Sequence, residues 1–545
     1  MGTIGIVLSM LAAVVVSGIV VRAIPLAVPT PLVQIALGAA IAAISPVHEV
    51  QLDPEIFFLL FLPPLLFIDG WRIPKEGLLR DKGLILELAL GLVICTVVGM
   101  GFFIHWMIPA MPFPVAFALA AIVSPTDPVA VSAITARVPV PKRVMHVLEG
   151  ESLLNDASGL VCFRFAVAAA VTGAFSLSSA TLTLMQLAVG GVAAGIGLTY
   201  AVMRFKNWIG RRFGEETGSQ VLISLLIPFG AYELAEHLGC SGILAAVAAG
   251  VTMSYAELSG GALAHTRMQR AAVWDTVQFA LKGVMFVLLG EQLPGILSGA
   301  VDAVQQSNHL NPWWLAVYAL AINLGLACLR FAWVWISVRL TAFLAQRRGQ
   351  AVGEKPGLRL IAAMSVAGVR GAITLAGVLT LPLALADGTP FPARDLTIFL
   401  AAAVIIVSLT AASIALPRLL HGLTPLAEPE HEAEVDRARI TSAEAAIRAI
   451  EQALHEMASG QSDADTYAEA AARVMDLYRR RIEGQTASEQ AVHIRRCDDI
   501  ERKLRLAGLG AERDTLFALA RAHSLSDENS RKLVREIDLL EERFR

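Results

Sequence analysis

Thirteen stretches of this chain are apolar over about the length needed to cross a bilayer, and that pattern leaves few folds open. A span takes about 20 apolar residues. Backbone polar groups inside hydrocarbon must be satisfied within the protein, so such spans are helices. The stretches lie at 4–21, 24–44, 55–71, 83–107, 113–135, 143–172, 182–203, 219–237, 240–258, 271–293, 312–340, 357–382 and 395–417. The second and third are interrupted by proline (Pro25, Pro29 and Pro31; Pro63 and Pro64). The chain has 17% charged residues, against about 25% in an average soluble protein. It reads as an all-α polytopic membrane protein. The first span has no basic leader and no small-residue cleavage site, which predicts a retained helix rather than a signal peptide.

The loops test this division independently. Alternate loops should be rich in Lys and Arg, and the rich set faces the cytoplasm. One set carries Arg22; Arg72, Lys75, Arg80 and Lys82; Arg137, Lys142 and Arg143; Arg204, Lys206, Arg211 and Arg212; Arg267 and Arg270; and Arg339, Arg347, Arg348, Lys355 and Arg359. The other set carries Arg394 alone. One misplaced span would scramble everything downstream. The asymmetry predicts an N-terminus outside and a C-terminal tail in the cytoplasm.

The character changes after Pro425. We divide the chain into a membrane domain over 1–425 and a cytosolic helical domain over 426–545. The second is rich in Ala, Glu, Arg and Leu, with helices expected near 433–458, 465–482, 487–507, 511–522 and 527–543, punctuated by Gly460, Gly484, Gly508 and Gly510. From residue 428 onwards it holds 19 basic against 25 acidic residues. Its acidity argues against nucleic acid as a partner, and it lacks a nucleotide-binding glycine motif. It reads as an assembly or regulatory module. The five cysteines are isolated, with no metal-ligand spacing and no disulfide framework.

Function has to come from polar groups that the spans retain. The sixth contains Glu149-Gly150-Glu151-Ser152-Leu153-Leu154-Asn155-Asp156-Ala157-Ser158-Gly159. A charge at the centre of a bilayer costs roughly 2.5–3.5 kcal/mol on insertion scales. On a helix, Ser152, Asn155, Asp156 and Gly159 share one stripe, with Glu151 at its edge. The alternative is a cytoplasmic loop leading into a helix, but Asp156 lies deep in the apolar run. The fifth span contains Ser124-Pro125-Thr126-Asp127-Pro128. Each proline removes a backbone donor and frees a carbonyl, and irregular backbone at this depth has to line a cavity or be buried in protein. A break here would present Asp127, the Thr126 hydroxyl and free carbonyls, hard oxygens that suit an alkali cation by the logic of hard divalent ions.

The twelfth span, Ser365 to Gly377, has glycines at 368, 371 and 377 and a charged Arg370. It predicts a second broken helix. The fifth and twelfth spans are seven apart and therefore run in opposite directions, as inverted repeats require, and paired interruptions mark a transporter's binding site. Asp127 and Arg370 could neutralise the exposed helix ends. Arg330 in the eleventh span is assigned to Glu151 as a structural ion pair. Asp69 stands either beside the site or at a helix end. Arg164 and Lys282 either snorkel along their stems or pair with carboxylates that sequence does not identify. Glu291 and His105, near span ends, need no special role.

These motifs, together with Leu-Pro-Pro-Leu-Leu-Phe at 62–67, Ser-Pro-Thr-Asp-Pro at 124–128, Glu-Gly-Glu-Ser-Leu-Leu-Asn-Asp at 149–156 and Gly-Val-Arg-Gly-Ala-Ile-Thr-Leu-Ala at 368–376, resemble the sodium/proton exchanger family. This is the first monovalent cation:proton antiporter family, and the likeness is to its bacterial members. It covers about residues 1–425 and not the tail. The resemblance implies thirteen helices in a dimerisation domain and a six-helix transport domain, as a homodimer in the bacterial inner membrane. It implies that Asp156 carries the ion, and that Asn155 beside it, in place of a second Asp, goes with electroneutral one-for-one exchange. It implies a cation site of Asp156, Asp127, Ser152, Thr126 and Asn155, with Asp69 close to an acidic ligand of some members. It also implies the buried pair Glu151 and Arg330, and gives Lys282 no role.

The expected activity is secondary antiport of cytoplasmic Na⁺ (or Li⁺) against H⁺, with no cofactor, no enzymatic chemistry and the lipid bilayer as surroundings. A K⁺/H⁺ antiporter of the same mechanism is the alternative. A cation channel, whose flux would ignore a pH gradient, is a more distant one. Scattered histidines supply no catalytic set for a membrane enzyme.

Overall fold

Apolar sequence on every side of a helix suits it either to packing among other helices or to facing lipid. The structure, a computed structural model, describes residues 3–24, 28–44, 54–72, 83, 86–127, 142–173, 177–214, 216–257, 264–306, 313–347, 357–385, 388–421, 429–458, 464–484, 489–522 and 524–544. Expectations that fall on 128–135, and on Lys75, Arg80, Lys82, Arg137, Arg348 and Lys355, lie outside them. The described residues form 18 α-helices, one π-helical turn and a single isolated β-bridge. The chain divides into two compact units, Met1–Pro425 and Leu426–Arg545.

In the first unit the helices are α1 (Thr3–Ala23), α2 (Thr30–Ile44), α3 (Pro54–Arg72), α4 (Val93–Met107), α5 (Phe113–Ile122), α6 (Lys142–Thr172), α7 (Leu177–Phe213), α8 (Thr217–His237), α9 (Gly242–Glu257), α10 (Ala264–Gln306), α11 (Trp313–Arg347), α12 (Leu358–Val366), α13 (Ala372–Leu379) and α14 (Arg394–Leu420). Eight segments of the described residues are long and apolar enough to cross a membrane, and α2, α5 and α9 are shorter apolar helices. The second span starts at Thr30 rather than residue 24, placing Pro31 in the first turn, where its missing N–H costs nothing. The third span, expected to be interrupted, is one helix through Pro63 and Pro64. Both prolines are buried, and packing on α9 holds the helix across the lost donors.

Two helix crossings set the frame, and glycine makes both possible. On α2, a Cβ at Gly38 would fall on the Val287 carbonyl of α10, and one at Gly290 would fall on the Ile35 carbonyl of α2. On α3, a Cβ at Gly70 would lie 2.6 Å from the Val247 carbonyl oxygen of α9, and one at Gly250 would fall on the Phe67 carbonyl of α3. In each crossing, each glycine meets the carbonyl three residues before its partner glycine. Such contact between small residues is how membrane helices approach closely. Exchanging each span with the one seven further on turns the α2–α10 crossing into the α9–α3 crossing. The two are therefore equivalent parts of inverted repeats.

The core of the other helices gathers around α5. Its residues Val115, Ala116, Ala118, Leu119, Ala120, Ala121 and Ile122 are wholly buried, and it packs on α4 and α6. The chain enters α4 through a π-turn, Glu87–Leu92, a form common near functional sites. The Ser158 hydroxyl of α6 reaches the Ala89 carbonyl of that turn at 2.7 Å.

The second unit consists of α15 (Pro429–Ala458), α16 (Ala464–Glu483), α17 (Glu489–Arg521) and α18 (Asp527–Phe544). Four helices stand where five were expected, because α17 continues through Gly508 and Gly510. A glycine costs about 1 kcal/mol in a helix, and the Leu, Arg, Ala and Glu around these two favour helix enough to carry it across. Arg513 bridges to Glu541 and Asp538 of α18.

A test of the crossings follows. Gly38→Ala or Gly250→Ala should destabilise the protein by about 1–3 kcal/mol through overpacking against rigid backbone. Gly197→Ala, on an open face of α7, should be neutral or slightly stabilising. Thermal unfolding in detergent reads the difference, and equal melting temperatures for all three would disprove the assigned contacts.

Candidate cation site

The fifth and twelfth spans both break, and their irregular stretches meet. Helix α5 ends at Ile122, before Ser124-Pro125-Thr126-Asp127. The twelfth span is split into α12 and α13 by residues 367–371. The Asp127 amide donates to the Val369 carbonyl at 2.7 Å, so one break supplies the partner that the other lacks. Arg370 is buried between them. Its Nε donates to the Val123 carbonyl at 2.8 Å and its Nη1 to the Gly368 carbonyl. The guanidinium thus caps the C-terminal ends of α5 and α12, where a cation is favoured. Asp127 lies against Gly371, where any Cβ would fall on its carboxylate, at the N-terminus of α13 that favours an anion.

Helix α6 lies along the break of α5. Gly159 admits Pro125, whose Cγ would lie 2.5 Å from a Cβ there. One turn and two turns earlier come the polar residues. Ser152 Oγ donates to the Thr126 carbonyl at 2.6 Å, and Asn155 Nδ2 donates to Thr126 Oγ1 at 3.0 Å. Ser152, Asn155 and Asp156 are all buried. Glu151, 0% exposed, accepts both Arg330 terminal nitrogens, at 2.5 Å and 2.7 Å, in the bidentate geometry that suits a carboxylate. Arg330 Nε donates to the Met364 carbonyl at 3.1 Å, so the pair also ties α12 to α6 and α11.

A cavity of about 340 Å³ opens where these elements meet. Asp156, Asp127, Ser152 and Thr126 line it together with Asp69 of α3 and Lys282 of α10. Asp69 therefore belongs to the cavity and not only to a helix end. A second, smaller cavity of about 240 Å³ is lined by Glu151, Arg330, Arg370, Ser124, Thr96 and Asn155. Asn155 was expected beside the ion but faces this second space. Its nitrogen points to Thr126 and to Glu151 Oε1, at 3.4 Å, while its buried Oδ1 has no hydrogen-bond partner among the described residues.

Other expectations resolve locally. Arg164 lies on an exposed face and pairs with Glu236 at 3.0 Å and the Tyr232 hydroxyl at 3.4 Å. His105 meets the Met111 carbonyl at 2.8 Å and stacks on Phe113. Among the described residues Glu291 Oε2 is buried with no hydrogen-bond partner. Sequence reasoning missed Thr374, which lines the main cavity in the first turn of α13, its buried hydroxyl without a hydrogen-bond partner among the described residues. Only its distance from the glycine break could have pointed to it. Among the described residues no group of three or more His, Cys, Asp or Glu side chains could hold a resident metal ion.

The sequence profile described as sodium/hydrogen exchanger, transmembrane, matches residues 10–422. The chain is 40% identical over 539 residues to the uncharacterized Na⁺/H⁺ exchanger YjcE of Escherichia coli, covering 98% of this chain and 97% of that protein. It is 39% identical to a sodium, potassium, lithium and rubidium/H⁺ antiporter of Bacillus pumilus, covering 98% of this chain and 77% of that one. Among solved structures, the sodium proton antiporter MjNhaP1 of Methanocaldococcus jannaschii superposes with a TM-score of 0.57 at 19% identity, over 77% of this chain and 98% of that chain, which shows the shared fold. The chain therefore belongs to the sodium/hydrogen exchanger family, whose members are cation:proton antiporters, membrane transporters and not enzymes.

Proposed function

We propose that this protein exchanges cytoplasmic Na⁺ (or Li⁺) for H⁺, one for one, with Asp156 as the carrier. The observation that carries this reading is a single cavity in which Asp156 meets Asp127, Ser152 and the broken-helix oxygens of Thr126. A buried carboxylate is disfavoured while charged. A proton or a cation neutralises it, but the two exclude each other. Empty and anionic, Asp156 resists passage through an apolar barrier, so only loaded forms change sides. That exclusion couples the fluxes.

Each partner has a role in this reading. Asp127 and Ser152 assist the cation, and Thr126 offers its carbonyl or hydroxyl. Asp69 lines the same cavity and is not needed as a ligand in this reading. Asn155 holds Thr126 without adding charge, which keeps exchange electroneutral. The Glu151–Arg330 pair braces α6 against α11 and α12. Alternating access arises as the helices carrying Asp127 and Asp156 move against those carrying Asp69 and Lys282. The reading places the protein as a homodimer in a bacterial plasma membrane, serving pH homeostasis, with its N-terminus outside and its tail in the cytoplasm, as the basic loops require.

A broader cation range is the second reading. The Bacillus pumilus and Bacillus subtilis relatives, 39% and 38% identical, are named as sodium, potassium, lithium and rubidium/H⁺ antiporters. Oxygen ligands alone do not fix cavity size, so K⁺ in place of Na⁺ would need no change of mechanism.

Cation-induced proton flux in proteoliposomes, compared for Na⁺, Li⁺ and K⁺ across about pH 6–9, tests both. Asp156→Asn should abolish flux for every cation while the protein still assembles, and full activity in that variant would remove Asp156 from the carrier role. Glu151→Gln should lower stability by about 3–5 kcal/mol, because it strands Arg330 without its counter-charge. Adding Arg330→Met should recover most of that loss. Thermal unfolding in detergent reads both steps, and a double variant no more stable than Glu151→Gln would refute the bracing role.

A further inference from the structure

Lys282 is a charge in the main cavity that the proposed cycle leaves without a task. It lies midway along α10 and lines the cavity with Asp69, Asp127 and Asp156. Among the described residues it makes no direct ion pair. Sharing that lining, it stands near enough to both Asp69 and Asp156 for its charge to bear on each. A lysine in this place needs an explanation, since an ammonium beside a cation site repels the cation it should attract.

Counting charges around the cavity supplies one. Asp127 is offset where it stands, against Gly371 at the N-terminus of α13. Arg330 is consumed by Glu151, and Arg370 by the carbonyls of Val123 and Gly368. Asp69, Asp156 and Lys282 remain, two negative charges and one positive. Their placement divides them. Asp69 precedes Gly70, which fits against the Val247 carbonyl, and Lys282 precedes Gly283, whose Cβ would lie 2.6 Å from Val14 Cγ1 and 3.0 Å from Gln34 Nε2. Both are therefore fastened to the frame of α2, α3, α9 and α10. Asp156 lies on α6, with the broken helices.

We propose that Lys282 is the fixed counter-charge of Asp69: from α10 it cancels the Asp69 carboxylate across the cavity and leaves Asp156 as the one carboxylate that a transported cation or a proton has to balance. This rests on Asp156 being the carrier. It gives one-for-one exchange a structural origin, because a cavity with one uncompensated charge is neutralised by one monovalent cation or one proton. It also sets affinity. Without Lys282 two carboxylates would hold the cation, and release would slow. Lys282 is thus a positioning charge and not a ligand.

The test uses the full-length protein in proteoliposomes, with Na⁺ half-saturation and maximal rate measured separately. Lys282→Gln should lower half-saturation about tenfold, as removal of one repulsive charge at close range requires, and should lower the maximal rate. Lys282→Arg, which keeps the charge, should return both towards wild type. Asp69→Asn added to Lys282→Gln should restore both, because the surplus charge has gone. Unchanged half-saturation in Lys282→Gln, or a double variant as slow as the single, overturns the proposal. If Lys282→Gln fails to assemble, Asp69→Asn alone decides: with Lys282 then uncompensated, half-saturation should rise about tenfold, and no rise overturns the proposal. The carrier reading fails separately, when flux survives Asp156→Asn. A wild-type protein with no cation-dependent flux overturns both.

Discussion

Backbone that leaves helical geometry deep in a membrane protein has to find its hydrogen bonds elsewhere in the protein, and here each of two broken spans finds them in the other. The Asp127 amide uses the Val369 carbonyl, and Arg370 takes up the carbonyls of Val123 and Gly368. Neither break is sustainable alone. Fifth-span irregularity without the twelfth would strand the Asp127 amide and the Val123 carbonyl, at several kcal/mol for each buried group. The rest of the site follows. Gly371 has to be glycine because Asp127 occupies the space of a Cβ, and Gly159 gives Pro125 room. Thr126, released from helical bonding, then has a carbonyl and a hydroxyl for Ser152 and Asn155 to hold.

The crossings of α2 with α10 and of α3 with α9 meet a different constraint. They rest on glycines that let backbone approach backbone. Contacts of this kind are short, numerous and without slack, and so they resist sliding. The broken helices meet α6 through directional bonds from Ser152 and Asn155 and through the fit of Gly159 on Pro125. A cavity between a tightly interlocked frame and a hydrogen-bonded group of helices is where relative motion costs least. That difference in bonding supports the proposal that Asp156 moves while Asp69 and Lys282 stay.

Much of this was legible in the sequence because the membrane makes polarity expensive. Asp127, Asp156, Glu151, Arg330 and Arg370 stand out in apolar runs, and two proline- or glycine-rich interruptions seven spans apart point to one site. Charge accounting alone led from Arg330 to Glu151. The hidden parts depend on which faces meet. The reciprocal glycine crossings need two helices at a specific register, which periodicity cannot supply. Arg164 found Glu236 and Tyr232 of α8 by reaching out from an exposed face of α6, a placement that sequence does not give. Thr374 is an ordinary threonine until the break of the twelfth span turns it towards the cavity. The glycines at 508 and 510 misled in the opposite direction, since helix propensity summed along α17 outweighs two local penalties.

The orientation of Asn155 shows how the structural pair and the transport site constrain each other. Glu151 is fully engaged by Arg330 and can only accept hydrogen bonds, so the atom that faces it at 3.4 Å has to be a donor. That fixes the Asn155 nitrogen towards Glu151 and Thr126, and its oxygen away from the main cavity. An aspartate at 155 would set a second carboxylate against Glu151, with repulsion where there is now a hydrogen bond, and would deprive Thr126 Oγ1 of its donor. A neutral amide is therefore what the buried Glu151–Arg330 pair tolerates one turn further along α6. The same choice removes one negative charge from the neighbourhood of Asp156. A brace remote from the transported ion thus helps to determine how many charges the ion site carries.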